Sequence, residues 1–236
     1  TNRYDIKQYV WPHHSIANSQ AALPFPIYMS EPYIRPRKGS ANNPIRIAVL
    51  ISGSGSGLLA LLNHQISKSC AHKTKLILSD NLNAGGLSHG KKFDIPSISV
   101  PLPEVVNSNE RRVLHEKLIH EILIESEIEL IVLSGYMRIL TPNFVNKWKG
   151  RIINIHPSLL PKYPGAHAHR DALIDGATVT GCTVHLVDEG VDTGEILAQE
   201  EVPILEGDTI ETLQSRVKKI EHQLYPKVLD AFCSGD

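Results

Sequence analysis

The run Ile45-Arg46-Ile47-Ala48-Val49-Leu50-Ile51-Ser52-Gly53-Ser54-Gly55-Ser56-Gly57-Leu58-Leu59-Ala60-Leu61-Leu62 decides the fold class. Its first seven residues form a compact apolar stretch and read as a buried strand. Glycine and serine then interrupt regular structure, and a leucine-rich segment of high helical propensity follows. Strand, glycine-rich turn, helix is the arrangement that turns backbone N–H groups and a helix N-terminus toward an anion. A flexible connector would have the same composition, but a buried strand on one side and a helix on the other favour phosphate binding. A dinucleotide loop needs Gly-x-Gly-x-x-Gly, and counted from Gly53 the third glycine falls on Leu58. Asp80, after the Leu76–Leu78 run, could imitate the ribose-binding acid, so a nicotinamide enzyme stays as an alternative.

Working outward, strand-like runs recur at Lys75–Ser79, Ser97–Val100, Leu130–Leu133 and Arg151–Ile155. Between them lie Asn109–Glu125, with Val113, Leu114, Leu118 and Ile122 at helical spacing, and a short helix around Pro142–Trp148. Alternating β and α predicts a doubly wound, mostly parallel sheet with helices on both faces and a Rossmann-like N-terminal half. A further helix is expected from about His169 to Ile174. Gly181–Val187 and Glu195–Val202 read as an edge hairpin whose loop carries Asp192. Asp208-Thr209-Ile210-Glu211 has a capping-box pattern and opens a long last helix, with Ile210, Leu213, Val217, Ile220 and Leu224 on its buried face.

Asn154-Ile155-His156-Pro157-Ser158-Leu159-Leu160-Pro161 carries the chemistry. Pro157 holds His156 away from helical angles, so the Ile152–Ile155 run is a strand that ends there. Two residues apart on that strand, the side chains of Asn154 and His156 point the same way. They stand at the C-terminal edge of a sheet, where ligands of open α/β folds bind. Asn154 offers a neutral amide to an oxyanion, and His156 a proton near neutral pH. Asp192, in a glycine-flanked loop, would favour the cationic imidazole if the fold brought it alongside. A capped turn with a satisfied histidine would produce the same short motif. The irregular segment His156–His169 is long for a connector in a compact domain, which points to function.

Composition excludes other classes. The 24 lysines and arginines against 25 acids leave no broad basic surface for nucleic acid. No apolar run approaches the ~20 residues of a membrane span. Cys70, Cys182 and Cys233 have no metal-type spacing and read as reduced thiols in a cytoplasmic protein. The 12 histidines form no His-x-x-x-His or His-Glu-x-x-His cluster, so no metal is expected. Residues 1–44 stand apart, with prolines at 12, 24, 26, 32, 36 and 44. They also hold six of the chain's thirteen aromatics, too many for a disordered tail, and read as an extended arm docked on the 45–236 domain or on a second subunit.

Three ordered motifs carry a resemblance: Asn154 to Pro161, then Val179-Thr180-Gly181-Cys182-Thr183-Val184-His185, then Asp192-Thr193-Gly194. Together they resemble the folate-dependent formyltransferases, over about Ile45 to Phe232. The resemblance implies transfer of a formyl group from 10-formyltetrahydrofolate, a cosubstrate, to the amine of glycinamide ribonucleotide. It implies Asn154, His156 and Asp192 as the catalytic set, and Ser158 as a turn residue and not a nucleophile. It implies Gly55, Ser56, Gly57, Lys218 and Glu221 as ribonucleotide contacts, although Lys218 and Glu221 at i, i+3 could equally be a surface ion pair. For the folate it implies the backbone of Met137, Arg138, Ile139 and Leu140 with Asn154, a second wall of Asp188, Glu189, Gly190, Val191 and Asp192, and Arg111 for the glutamate tail. His167, His169 and His185 match family positions without a chemical step. The family usually reads Gly-Ser-Asn where this chain has Gly55-Ser56-Gly57, which implies weaker phosphate binding. A monomer or homodimer acting on small molecules is expected. The family's hydrolase branch, which acts on formyltetrahydrofolate with water, is the alternative. The hydrolase's N-terminal regulatory domain, and the C-terminal RNA-binding domain of the branch that formylates methionyl-tRNA, are both expected to be missing.

Overall fold

Strand β1 (Ile45–Ile51) has every residue but Arg46 fully buried, and the sheet grows from it in both directions. The computed structural model describes residues 35–235. The elements after β1 are α1 (Ser56–Ser67), β2 (His72–Ser79), α2 (Leu87–Phe93), β3 (Ser97–Ser99), α3 (Ser108–Glu125) and β4 (Leu130–Leu133). They continue with α4 (Pro142–Lys147), β5 (Ile152–His156), α5 (Ala168–Ile174), β6 (Val179–Leu186), β7 (Ile196–Pro203) and α6 (Ile210–Ser234). The strands form one sheet in the order β3-β2-β1-β4-β5-β6-β7. The first five are parallel to one another, β6 runs antiparallel to β5, and β7 is antiparallel to β6. The doubly wound α/β class and the edge hairpin are thus as read from the sequence.

The two-residue pleat divides the core. Ile45, Ile47, Val49, Ile51, Leu130, Val132 and Ile153 face one side with Leu58, Leu61 and Leu62 of α1 and Tyr225 and Leu229 of α6. Ala48, Leu50, Ile131, Leu133 and Ile152 face the other with Ile119 and Leu123 of α3 and Phe144 and Val145 of α4. Continuous apolar runs in β1 and β4 follow directly, because both of their faces are covered.

Three local readings need correction. The helix α2 was not singled out, since Leu87-Ser88-His89-Gly90-Lys91-Lys92-Phe93 buries only Gly90 and carries little periodicity. The buried line of α3 is His115, Glu116, Ile119 and Leu123, one position on from the apolar stripe, and Val113 is exposed. The reason is polar: His115 Nε2 donates to Val100 O at 2.7 Å, and Glu116 accepts from Thr141 N at 2.6 Å and from Thr141 Oγ1. The capping box at α6 is reciprocal between Thr209 and Thr212 instead of Glu211, and Ile210 is exposed there.

Of the proposed arm, residues 1–34 lie outside the described residues, and so does the docking of their aromatics. Residues 35–44 bond to the 45–235 body. Arg37 grips Glu129 through Nε at 2.7 Å and Nη2 at 3.1 Å, and Gly39 N donates to Cys233 O at 2.7 Å.

Tyr225 shows how α6 is seated. Its buried hydroxyl lies 3.0 Å from Leu133 O and 2.9 Å from Ile153 O, at the ends of β4 and β5. Removing the hydroxyl leaves buried carbonyls short of a donor, which typically costs about 1–3 kcal/mol. Tyr225→Phe should therefore lower the stability measured by urea unfolding by that order, with an unchanged m-value; no loss would mean that the contact is energetically idle.

Candidate active site

Strand β5 delivers Asn154 and His156 on the parity of Ile152, and Ile155 on the parity of Ile153. The antiparallel register then sets Asn154 directly opposite His185 and His156 opposite Thr183. Asn154 Nδ2 lies 3.2 Å from His185 Nε2, and His185 Nδ1 lies 2.9 Å from Leu186 O. A carbonyl can only accept, so His185 carries its proton on Nδ1 and accepts from the Asn154 amide. Burial lowers the pKa of His185, the largest of several influences, and keeps the ring in this neutral form. One amide N–H of Asn154 is thereby fixed, and the other is left to a ligand.

Asp192 closes the constellation from the β6–β7 loop. Its Oδ2 accepts from Gly165 N at 2.8 Å and stands 3.3 Å from His156 Nδ1, while Oδ1 is 3.6 Å from His185 Nε2. His156 Nε2 donates to Tyr163 O at 2.9 Å. Both ring nitrogens of His156 thus face oxygen acceptors, and only the doubly protonated ring has a hydrogen for each. Asp192 (φ 55°) and Tyr163 (φ 53°) occupy the left-handed region, where a residue with a Cβ is strained. Two such residues on the partners of one histidine mark a built site. Gly194 lets the loop return, because a Cβ there would fall 1.8 Å from Leu186 O.

The loop after His156 is held from beneath. Buried Thr183 donates to Ser158 O at 2.6 Å and accepts from Leu160 N at 3.0 Å and Gln199 Nε2 at 2.8 Å. Ser158 Oγ donates to Lys162 O at 2.5 Å, which fits a turn residue. Sequence reading missed Thr183, Gln199 and Tyr163, and underrated His185. The register of the hairpin against β5 was the available signal for His185 and Thr183.

Beside this constellation opens a cavity of about 370 Å³. Gly55, Ser56, Gly57, Lys218 and Glu221 all line it, as the sequence implied, together with Ile155, Pro157 and His169. Gly55 (φ 69°) caps α1 in the left-handed region, and α1 starts at Ser56 with its amides at the cavity wall. A Cβ on Gly57 would meet Ser134 Oγ at 2.5 Å, so here the serine occupies space that an asparagine side chain would need. Lys218 and Glu221 make no ion pair with each other among the described residues; both face the cavity. His169 is buried with Nδ1 unpartnered, and burial, then the nearby His156 and Lys218, lower its pKa.

The residues expected at the folate are placed less closely together. Met137 lines the same cavity; Asp188, Glu189 and Gly190 line a second one, also about 370 Å³, with Asn146 and Lys149. Arg111, Arg138, Ile139, Leu140, Val191, Asn154 and Asp192 line neither. The 137–141 segment is pinned at three points: Met137 N on Ser52 Oγ at 2.9 Å, Arg138 Nε on Asp80 at 2.6 Å, and Thr141 on Glu116. Asp80 is thus committed to Arg138, which removes the support for a nicotinamide ribose contact. Met137, Ile139 and Val191 expose large apolar side chains on the two expected walls. Arg111 Nε is buried without a hydrogen-bond partner.

Residues 45–229 match the family model described as formyl transferase. The chain belongs to that family. It is 37% identical over 192 residues to the phosphoribosylglycinamide formyltransferase of Escherichia coli K12, covering 81% of this chain and 88% of that one. It is 43% identical over 192 residues to the human trifunctional purine biosynthetic protein adenosine-3, covering 80% of this chain. The first relatives matched are proteins of that trifunctional kind, and the chain spans only 14% to 19% of their length. Among solved structures, the phosphoribosylglycinamide formyltransferase of Brucella melitensis shares 41% identity and a TM-score of 0.75, over 82% of this chain and 97% of that one. The enzyme from Symbiobacterium toebii, a glycinamide ribonucleotide transformylase, gives 38% and 0.77, over 81% and 89%.

Glu221 supplies a pH test of the first cavity. Burial raises its pKa from 4.5 to about 7, against a smaller opposing pull from Lys218. A raised carboxyl pKa means that the fold favours the neutral form. Its contribution to stability is full below pH 4.5 and is lost as pH rises through 7. Glu221→Gln stays neutral throughout, so its Tm relative to wild type should climb between about pH 4.5 and 7 and level off above. A constant difference across that window would show that Glu221 is not desolvated.

Proposed function

We infer that the chain transfers the formyl group of 10-formyltetrahydrofolate to the amine of N1-(5-phosphoribosyl)glycinamide, a step of purine (IMP) biosynthesis. One observation carries the reading: Asn154, His156 and Asp192 converge at the end of β5, whose Ile155 and Pro157 line a cavity shared with a glycine-rich helix N-terminus, a lysine and a carboxyl group of raised pKa.

The ribonucleotide fits the first cavity. Its phosphate takes the amides of Gly55, Ser56 and Gly57 at the start of α1, where the partial positive charge of the helix lies. Lys218 adds a cation, and Glu221 offers hydrogen bonds to sugar hydroxyls. The folate ring takes the apolar walls, with backbone groups of Met137, Arg138, Ile139 and Leu140 on one side and of Asp188 to Asp192 on the other. Arg111 is proposed for its carboxylate tail, with its unpartnered Nε supplying the donor.

The amine nitrogen attacks the formyl carbon, a C–N bond forms, and the carbonyl oxygen takes the electron pair as an oxyanion. The free N–H of Asn154 donates to it. His156 Nε2–H is held by Tyr163 O in the ligand-free protein, so its donation to the oxyanion requires exchange of that partner. Asp192 stays beside His156 Nδ1 and holds the ring in place. Breaking the bond from carbon to the folate nitrogen restores the carbonyl, and the proton lost by the amine goes to that nitrogen through the His156–Asp192 pair. Donors of this kind typically contribute on the order of 10²–10³ in rate.

No described helix is long and apolar enough to cross a membrane. We place the reaction in the cytoplasm on the strength of three buried free cysteines, and take its partners to be the two small molecules.

Absorbance at the deformylated folate product, with and without the ribonucleotide, tests the assignment. Turnover should depend on the ribonucleotide. Equal turnover with water alone would select the hydrolase reading, and no turnover with either would remove both.

A further inference from the structure

At the opposite end of the sheet from Asn154 and His156, four elements meet at one carboxylate. Asp230, near the C-terminus of α6, stands 2.7 Å from His64 Nε2, in the last turn of α1. The ligand atoms of His64, Cys70 and Asp230 all lie within 4.8 Å of one another. The residues are far apart in sequence, so the spacing rules that excluded a metal could not find them. From Ser56 to His64, α1 separates this cluster from the glycine-rich loop by roughly 12 Å of helix.

The carboxylate is oriented by groups that leave one oxygen available. Asp230 Oδ1 accepts from Ala71 N at 3.2 Å and faces His72 Nε2 at 3.2 Å. His72 is fully buried at the start of β2, and its Nε2 has no well-aligned hydrogen-bond partner. Its tautomer is set from behind. Gln65 Oε1 accepts from Thr74 N at 3.2 Å, so Gln65 Nε2 donates to His72 Nδ1 at 2.8 Å and the His72 proton sits on Nε2, 3.2 Å from Asp230 Oδ1. A metal-binding carboxylate commonly has its non-ligating oxygen held by such donors. Oδ2 is left facing His64 Nε2, with the Cys70 sulfur beside them.

We propose that His64 Nε2, Cys70 Sγ and Asp230 Oδ2 form a binding site for a borderline-soft divalent cation, zinc by chemical class, with His72 as a positioning residue. One imidazole, one thiolate and one carboxylate are ligand types that zinc takes in tetrahedral sites, and a solvent molecule would complete the four. Binding releases the thiol proton of Cys70 to solvent, and the proton between His64 Nε2 and Asp230 Oδ2 passes through solvent to His64 Nδ1, so that His64 ligates as a neutral imidazole. Thiolate and carboxylate then balance the two positive charges. The bound ion would tie α1, the loop into β2 and α6 together.

The test uses the full chain, dialysed against a chelator and titrated with Co²⁺, a spectroscopic stand-in for Zn²⁺. One equivalent should bind with a thiolate-to-cobalt charge-transfer band, more tightly as pH rises, and Zn²⁺ should abolish the band. Cys70→Ser should remove the band. His64→Gln and His72→Ala should weaken binding by about 10–100-fold, while ribonucleotide-dependent turnover persists. No band at one equivalent, or a band that survives Cys70→Ser, would overturn the proposal. If Cys70→Ser fails to fold, His64→Gln decides: unchanged affinity excludes the site.

Discussion

The site depends on one reversal of chain direction. Five parallel strands carry the chain to the end of β5, and β6 then pairs with β5 in the opposite sense. A parallel neighbour would need a crossover and would present its own C-terminal end at the same edge. The antiparallel one lays residues from the middle of a strand against the strand that ends in His156. His185 comes opposite Asn154, Thr183 comes opposite His156, and the loop that follows returns Asp192 to the ring. Pairing and chemistry are one arrangement: a register slip of one residue would turn His185 and Thr183 to the other face.

Electrostatics sorts the three histidines around that edge. His185 and His169 are driven toward the neutral form by burial, and neither meets a carboxylate as closely as His156 does. Neutral His185 can accept from Asn154 and so aim its amide. Of the three, only His156 has an oxygen within 3.5 Å of each ring nitrogen. One carboxylate therefore gives one imidazole a different role from its neighbours, and the surrounding structure holds both acceptors in place against the strain of left-handed backbone at Asp192 and Tyr163. The exchange of Tyr163 O for substrate oxygen is the single rearrangement that the mechanism asks of the ligand-free protein.

Much of this was legible in the sequence, for identifiable reasons. Continuous apolar runs in β1 and β4 declare strands buried on both faces, and the turn after Ile51 declares its helix. The family motifs named Asn154, His156 and Asp192, and the structure brings these three together; it also gathers Gly55, Ser56, Gly57, Lys218 and Glu221 around one cavity. What was not legible is polar and long-range. The buried face of α3 is led by His115 and Glu116, whose satisfaction by Val100 O and Thr141 no periodicity records. His64, Cys70, His72 and Asp230 meet only because α1 and α6 pack on the same side of the sheet. The folate walls remain the least defined part, because their residues divide between two cavities.

The central claim is that Asp192 and His156 act as one unit on the transition state, and a double-mutant cycle on kcat measures it most directly. His156→Ala and Asp192→Asn should each lower kcat by on the order of 10²-fold or more with little change in either KM. The double variant should then lose almost nothing beyond the worse single one. Losses that multiply in full would show that the two residues act independently, and the account of the site would be wrong.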